Sequence, residues 1–314
     1  MVHLFGMLAV AIDNGRRWRR RYRVPAGIAC VLVAVGCASV PPTSRVLTLA
    51  EVRELSASQP VAVINEYPIA LAAVVGILEG ELGFPELDVA VEFFRDRGEV
   101  ETALANSGLA PDMARQLSML LDGVTLPGRV LVNEQALGSL SWSARVRFLA
   151  HELTHVLQNQ QAGNRRSRSP QWIREGFAEW ASWKVAEVLA PGSMEVKRRS
   201  ARRQVAVASD RGLLPPLSRL ITAADFFAHV PRQVVPLYYL QSFLAVDLLV
   251  DRHGVPAVLE YFAGFAESDR QEWIFERVFA QTQEDFEQEF AALVAALPLP
   301  PGRPRHPYPT RPGA

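Results

Sequence analysis

Cysteine is nearly absent from this sequence: among 314 residues there are two, Cys30 and Cys37, and both lie near the amino terminus. If a leader is removed at Cys37, that residue becomes the only cysteine, and an internal disulfide is excluded. A single unpaired thiol in an oxidising compartment then needs another explanation. The remaining chain has to fold on its apolar side chains, and with 49% hydrophobic residues it can form a sizeable core.

Net charge is also lacking, since 33 basic residues balance 33 acidic ones. The balance hides an asymmetry, because residues 1–36 carry six arginines and one aspartate. The remainder has 27 basic and 32 acidic residues, and a mildly acidic protein is a poor electrostatic match for nucleic acid. We therefore expect no nucleic-acid partner. A second basic cluster at residues 197–203 is interpreted as a solvated helix face, with contact to lipid headgroups or to an acidic partner as the alternative.

Long apolar runs are missing as well. The run at residues 24–36 is too short for a comfortable transmembrane helix, and it directly follows the arginine cluster. A basic segment followed by a short apolar one is typical of a secretory signal, which predicts export. An ordinary signal peptide, or a short anchor with an incidental cysteine, is the alternative, and translation could begin at Met7.

The end of this run, Leu-Val-Ala-Val-Gly-Cys-Ala-Ser at residues 32–39, resembles the lipobox of bacterial lipoproteins. The resemblance implies cleavage before Cys37, a lipid on its sulfur, and attachment to an envelope membrane on the side that faces away from the cytoplasm. Ala38, in place of aspartate, favours sorting to the outer membrane. Residues 1–36 would then be the signal peptide, and residues 37–48 a tether whose prolines resist helix and sheet.

Apolar periodicity predicts a predominantly helical α+β fold for residues 49–297. The segment at residues 69–82 has apolar side chains at helical spacing and closes at Gly-Phe-Pro. Residues 87–94 and 130–132 are rich in β-branched and aromatic side chains and predict a small sheet. Residues 298–314, rich in proline and arginine, predict a disordered tail. The other predicted helices lie near residues 99–106, 111–121, 144–157, 170–185, 236–252, 255–265, 272–280 and 284–297.

The helical run at residues 144–157 contains the sequence His-Glu-Leu-Thr-His at residues 151–155. Because a helical turn takes about 3.6 residues, His151 and His155 project from one face and Glu152 lies close to it. Zn²⁺ takes neutral imidazole nitrogen, and a nearby carboxylate can deprotonate a bound water. The pattern alone is also compatible with a helix that carries two surface histidines, so a third ligand is needed.

The third ligand is expected on the next predicted helix, which carries Trp-Ile-Arg-Glu-Gly-Phe-Ala-Glu-Trp at residues 172–180. Nineteen residues separate His155 from Glu175, which lets a loop turn the second helix back against the first. Glu175 would complete a three-ligand site with an open fourth position, and Gly176 would allow close helix approach. Glu179, one turn on, could accept the ring N–H of a liganding histidine. A solvated acidic face is the alternative, but the flanking aromatic residues predict burial, and buried acids need partners.

These two segments resemble the gluzincin clan of zinc metallopeptidases, in particular the small bacterial peptidase-MA-like domains, and the resemblance covers residues 69–297. It implies a thermolysin-like catalytic domain in which His151, His155 and Glu175 bind zinc and Glu152 is the general base. The Glu-Gly-Phe-Ala segment is shared with the aminopeptidases of that clan. However, the spacing to the third ligand is one residue longer, and the Gly-x-Met-Glu-Asn segment that binds a free amino terminus is absent, which argues against aminopeptidase activity.

The resemblance implies hydrolysis of a peptide or protein substrate at the cell envelope. An extended substrate would pair with an edge strand around residues 130–132. In related enzymes a tyrosine near a Tyr-x-Gln-Ser segment donates to the oxyanion, which indicates Tyr239, with Tyr238 as the alternate or both tyrosines packed in the core. His229 is interpreted as structural. A metal-bound lipoprotein without activity, which binds a partner or assists assembly, is the competing hypothesis, and a non-peptide amide or ester substrate is a third.

Overall fold

The structure, a computed structural model, describes residues 45–58, 64–163, 168–227, 231 and 233–300. The predicted signal peptide, Cys37 with its predicted lipid, His229 and residues 301–314 of the predicted tail lie outside the described residues. The first elements are β1 (Arg45–Thr48), α1 (Leu49–Ser58), α2 (Tyr67–Gly80), β2 (Ala90–Phe94), α3 (Arg97–Asn106), α4 (Pro111–Leu120), β3 (Gly123–Leu126) and β4 (Arg129–Asn133). They are followed by α5 (Glu134–Gly138), α6 (Trp142–Ala162), α7 (Gln171–Leu189), α8 (Ser193–Asp210), α9 (Ala223–Phe227), α10 (Val235–Glu267), α11 (Gln271–Phe279) and α12 (Gln283–Ala296).

The fold is mostly helical with one small mixed sheet, so the predicted α+β class is confirmed. Helices α6, α7 and α10 pack on one another around the main apolar core, and the sheet lies against α6. A smaller apolar cluster lies between α3, α4 and the other side of β3 and β4. None of the helices within the described residues has the length and apolarity needed to cross a bilayer.

The sheet has the strand order β1-β2-β4-β3, and this order corrects two predictions. Strand β4 contains residues 130–132 and pairs with β2 on one side and β3 on the other, so it is not an edge strand. A substrate peptide cannot pair with it, because both rows of its backbone groups are already bonded. Residues 45–48, predicted as the end of the tether, form β1 and pair with β2, so the folded region begins before residue 49.

Strand β3 was not predicted from the sequence, although it forms a hairpin with β4. Pro127 and Gly128 connect the two strands, and Gly128 has a φ of 69°. Proline fixes the first corner of such a turn, and glycine adopts the positive φ of the second without strain. The Pro-Gly pair flanked by two short apolar segments was therefore the signal for a hairpin.

The beginnings of α6 and α7 are stabilised in different ways. Ser141 caps α6 by accepting a hydrogen bond from the backbone N–H of Ala144. Pro170 is the residue before α7, and no side chain among the described residues caps this helix. The first amide groups of α7 instead donate to the backbone carbonyls of residues 220 and 221, over 3.0 and 2.8 Å. This contact ties the start of α7 to a loop that is distant in the sequence.

Gly176 allows a close helix approach, but the partner at this position is α10 and not α6, the helix that was expected from the sequence. A Cβ atom built at this position would lie 2.4 Å from the carbonyl oxygen of Ser242 and 2.7 Å from Cγ2 of Val246. Both neighbours belong to α10, and a carbonyl oxygen in a helix cannot move aside cheaply. The absence of a side chain at Gly176 therefore sets the distance between the two helices.

We expect Gly176→Ala to lower the free energy of unfolding by roughly 1–3 kcal/mol, because the new methyl group overpacks the contact between α7 and α10. Urea denaturation of the metal-free protein measures this change. Gly76→Ala is the matched control, since Gly76 is an exposed helical glycine whose added Cβ meets nothing within 4 Å. The control should gain up to about 1 kcal/mol from helix propensity. Equal urea midpoints for Gly176→Ala and the wild type would contradict the close contact.

Candidate metal centre

Helix α6 carries both predicted histidines on one face. Their rings have centroids 4.8 Å apart, and the side chains of His151 and His155 are 3% and 0% exposed. Apolar residues of α6 pack into the main core, so the face with the histidines is buried at its edge. The alternative of two surface histidines is therefore excluded by the structure.

Helix α7 brings Glu175 to the two histidines. Its Oε2 lies 3.3 Å from Nε2 of His151 and 3.6 Å from Nε2 of His155, and its side chain is fully buried. One ligand atom from each of the three residues lies within 4.8 Å of the others, so the group could hold a metal ion. The third residue predicted from the sequence is thus at the predicted place.

Three atoms of this cluster are buried and have no hydrogen-bond partner among the residues that the structure describes. These atoms are Nε2 of His151, Nε2 of His155 and Oε2 of Glu175. Buried polar atoms are almost always paired, because an unpaired one costs about 1–3 kcal/mol. Three buried atoms that lie within 4.8 Å of one another and lack a hydrogen-bond partner in the described part of the chain are explained if a cation is their common partner. Two imidazole nitrogens and one carboxylate oxygen are a donor set that suits a divalent transition-metal ion.

The other atoms of these side chains are held by two glutamines. Nδ1 of His155 is 2.8 Å from Oε1 of Gln158, whose Nε2 donates to the carbonyl oxygen of Arg174 over 2.9 Å. Nε2 of Gln171 donates to Oε1 of Glu175 over 2.6 Å. Because Nδ1 of His155 and Oε1 of Glu175 are occupied in this way, Nε2 and Oε2 are left for the metal. The sequence signal for both glutamines was their helical spacing of three and four residues from the ligands.

Glu179 lies beside His151, as predicted, but its contact with the ring is loose. Oε2 of Glu179 is 3.7 Å from Nδ1 of His151, which is longer than a hydrogen bond. Oε1 of Glu179 accepts hydrogen bonds from Nε1 of Trp183, over 3.0 Å, and from Nζ of Lys197. Lys197 was predicted to belong to a solvated basic face, and this is wrong, since its side chain is buried and paired with Glu179.

Buried charges of opposite sign shift the pKa values around the site. Burial alone would lower the pKa of His151, but its contacts with Glu175 and Glu179 outweigh burial and raise the pKa to about 9. Burial would raise the pKa of Glu175, yet the rings of His155 and His151 lower it to about 2. Lys197 and His151 hold the pKa of Glu179 well below its usual range, against the effect of burial. In the metal-free protein Glu175 and Glu179 are therefore ionised and His151 carries a proton at neutral pH.

Glu152 is buried next to the histidines and has one bonded and one unbonded oxygen. Oε2 accepts a hydrogen bond from Oγ1 of Thr125 over 2.5 Å. Oε1 is buried and has no hydrogen-bond partner within the described part of the chain. Thr125 belongs to β3, the strand that was not predicted, and so its contact with Glu152 was missed. Glu152 is thus a buried neighbour of His151 in the chain, with one carboxylate oxygen held by β3.

Of the two candidate tyrosines, Tyr239 is the one whose ring packs beside the ring of His151. The centroids of these two rings are 6.2 Å apart, and Tyr239 also packs on Phe226 at 5.3 Å. Tyr238 packs edge-on against the same phenylalanine at 5.8 Å, and burial raises the pKa of its hydroxyl. Of the two tyrosines considered from the sequence, the geometry favours Tyr239.

No family model, no curated protein and no solved structure matches this chain at a significant level. The resemblance of the two segments to gluzincins therefore rests on the motifs themselves. The structure bears on the resemblance only at the candidate metal-binding residues. It brings the histidines of α6 and the glutamate of α7 together in a buried cluster that could hold a metal ion.

Proposed function

We propose that the protein is a zinc-dependent hydrolase of peptide bonds, a gluzincin with a thermolysin-like catalytic domain that acts at the bacterial cell envelope. The observation that carries the proposal is the grouping of three buried ligand atoms, from His151, His155 and Glu175, that have no hydrogen-bond partner among the described residues. A structural role for the metal would not require a further carboxylate beside it. A hydrolase needs a general base as well as the metal. Glu152, one of whose oxygens has no hydrogen-bond partner among the described residues, supplies this base.

Zinc is the ion that the donor set favours. Zn²⁺ binds neutral imidazole nitrogens and carboxylate oxygens, and catalytic zinc sites have three protein ligands with the fourth position open. The two histidines and the glutamate provide three ligands of these kinds. When bound, Zn²⁺ would supply Lewis acidity that lowers the pKa of a water and polarises a substrate carbonyl.

In the proposed mechanism Glu152 moves the proton. Its unpaired oxygen, Oε1, accepts a proton from the attacking water and later delivers it to the leaving nitrogen of the substrate. Tyr239, whose ring lies against His151, donates a hydrogen bond from its hydroxyl to the oxyanion that forms on the substrate. Glu179 orients the His151 ring, and Lys197 in turn holds Glu179.

The proposed location depends on the amino-terminal sequence. The basic and apolar segments favour export, and the lipobox-like residues favour a lipid on Cys37 and anchoring in the outer membrane. Labelling of the full-length chain with a radioactive fatty acid in a bacterial host tests the anchor. Incorporation should occur in the wild type and be lost in Cys37→Ser.

The proposal is tested by the zinc content of the purified protein together with its hydrolysis of unfolded proteins, compared with Glu152→Gln. If the wild type contains zinc but digests no more substrate than the variant, the competing hypothesis of a non-catalytic metal-bound lipoprotein is supported. Hydrolysis of small amides or esters without cleavage of peptides would support the third hypothesis instead. Absence of zinc binding would contradict all three.

Zinc binding is expected to weaken at lower pH, because the proton on His151 has to leave when zinc binds. The pKa of His151 is raised to about 9 in the metal-free protein, so this proton is bound at every pH below that value. Each pH unit below 9 should therefore lower the apparent zinc affinity by about tenfold. Competition with a chelator between pH 8 and pH 6.5 measures this slope.

The matched control for this measurement is His253→Gln. His253 packs on Phe279 at a ring distance of 5.3 Å, away from the candidate metal centre, and its replacement should leave the slope unchanged. An apparent affinity that is the same at pH 8 and pH 6.5 in the wild type would contradict a bound proton on His151.

A further inference from the structure

The edge strand β3 presents a small residue and a threonine to α6. Side chains alternate along a strand, so Gly123 and Thr125 point to the same face. Phe148 and Glu152 are four residues apart on α6 and therefore lie one above the other. The two pairs meet: a Cβ atom at Gly123 would lie 2.5 Å from Cζ of Phe148, and the hydroxyl of Thr125 reaches the carboxylate of Glu152.

The contact between Thr125 and Glu152 is short, buried and directed. Oγ1 of Thr125 lies 2.5 Å from Oε2 of Glu152 and 3.4 Å from the backbone carbonyl oxygen of the same residue. The hydroxyl is the donor and the carboxylate oxygen the acceptor. The shorter distance assigns the hydroxyl proton to the bond with Oε2 rather than to the carbonyl oxygen. Both side chains are excluded from water, at 1% and 2% exposure.

Fixing one oxygen of a carboxylate also fixes the other. The last torsion of a glutamate side chain is broad, so the two oxygens of an unrestrained carboxylate can exchange places. In Glu152 the bond to Thr125 holds Oε2 on the side of β3, and Oε1 is buried with no hydrogen-bond partner in the described segments. Thr125 therefore determines which oxygen is available to accept a proton.

We propose that Thr125 is a positioning residue, which holds the Glu152 carboxylate so that Oε1 faces the substrate side of the candidate metal centre. The inference rests on the proposed function, because it assigns a role within the same site. In this role the sheet contributes to the candidate site, because the position of the general base depends on how β3 packs on α6. The close packing at Gly123 is what brings the threonine within reach.

Three variants of the full chain separate positioning from simple structural support. Thr125→Val keeps the shape of the side chain and removes the donor, and Thr125→Ser keeps the donor and removes the methyl group. Thr154→Val is the matched control, because Thr154 is a fully buried threonine of α6 whose hydroxyl bonds only to the backbone carbonyl of Ala150, over 2.8 Å. Zinc content and urea unfolding are measured for each variant to identify any that fail to fold.

The main readout is the affinity of acetohydroxamate for the Co²⁺-loaded protein, measured from its visible absorption. A hydroxamate chelates the metal and carries a proton that a neighbouring carboxylate accepts, so its affinity reports the position of Glu152 without any turnover. We expect Thr125→Val to lower this affinity by at least about tenfold, the lower end of the loss seen for outer partners of metal sites. Thr125→Ser should restore the affinity, and Thr154→Val should leave it unchanged. In a Glu152→Gln background, Thr125→Val should have no further effect.

Turnover provides an independent readout. If the wild type hydrolyses an unfolded protein, Thr125→Val should lower kcat with little change in KM, and Thr125→Ser should recover it. The inference is overturned if Thr125→Val binds acetohydroxamate like the wild type, or if Thr125→Ser loses as much affinity as Thr125→Val. Failure of acetohydroxamate to bind the Co²⁺-loaded wild type overturns it as well. The predicted affinity pattern in a protein that hydrolyses nothing would instead leave the positioning role intact and contradict the peptidase.

Discussion

Replacing Glu175 by glutamine is expected to abolish tight zinc binding. The variant keeps the size of the side chain but removes the negative charge and the unpaired Oε2 that approaches both histidines. A neutral amide oxygen is a weak zinc ligand, and two imidazoles alone leave the ion without its third protein ligand. We expect a loss of affinity larger than the roughly 10- to 100-fold that removal of an outer partner costs.

Zinc content after dialysis and competition with a chelator measure this loss. Glu195→Gln is the matched control, since it removes an exposed carboxylate from α8, and it should bind zinc like the wild type. Glu179→Gln provides a graded comparison, because Glu179 lies one turn further on α7 and approaches His151 at Nδ1, the ring nitrogen that does not belong to the metal cluster. Its loss should fall within the range for outer partners. If Glu175→Gln retained wild-type affinity, Glu175 would not be a ligand.

Replacing Glu152 by glutamine is expected to remove hydrolysis while zinc stays bound. The amide cannot take a proton from water, and loss of a general base typically costs about 10²- to 10⁴-fold in rate. Its carbonyl oxygen can still accept the hydrogen bond from Thr125, so the buried contact with β3 is kept. We therefore expect the rate of digestion of an unfolded protein to fall by that factor, with zinc content and urea midpoint unchanged.

Glu195→Gln is again the control for this variant and should digest substrate at the wild-type rate. The two outcomes that would contradict the role of Glu152 differ in meaning. Equal rates for the wild type and Glu152→Gln would show that Glu152 is not the base. Loss of zinc from Glu152→Gln would show that Glu152 supports the metal and that its effect on rate is indirect.

The ligands could be predicted from the sequence because helical geometry fixes the distances between them. A spacing of four residues places His151 and His155 side by side in any regular helix, and the aromatic residues around Glu175 indicated that its helix is buried. The remaining step, the meeting of α6 and α7, depends on tertiary structure, and Gly176 did not indicate it, because Gly176 packs on α10. Local rules were sufficient for the two histidines and for the burial of Glu175, but not for the contact between their helices.

The contacts of Thr125 and Lys197 were missed because they depend on tertiary structure. Thr125 lies on a four-residue strand whose apolar pattern is too short to stand out, and only the hairpin turn after it gave a signal. Lys197 belongs to a run of basic residues that looks solvated, and its burial follows from the position of Glu179 on a different helix. Sequence spacing does not show which charges on separate helices will meet.

The order of the strands in the sheet also could not be predicted from the sequence. Residues 130–132 were correctly predicted as a strand, but the prediction that they form an edge was wrong, because β3 pairs with their outer side. Strand identity follows from local composition, whereas position in a sheet depends on every other strand. Because β3 was missed, the strand edge expected to pair with a substrate peptide was assigned to β4. The four residues of β3 are themselves buried.

The most direct test of the central claim is a digest of unfolded proteins in which new amino termini are counted by mass spectrometry. Three samples are compared: the zinc-loaded wild type, the same protein after removal of zinc, and zinc-loaded Glu152→Gln. A zinc peptidase predicts many new termini in the first sample and background numbers in the other two, with recovery when zinc is returned to the second. If the zinc-loaded wild type produces no more termini than Glu152→Gln, the protein is not a peptidase of the proposed kind.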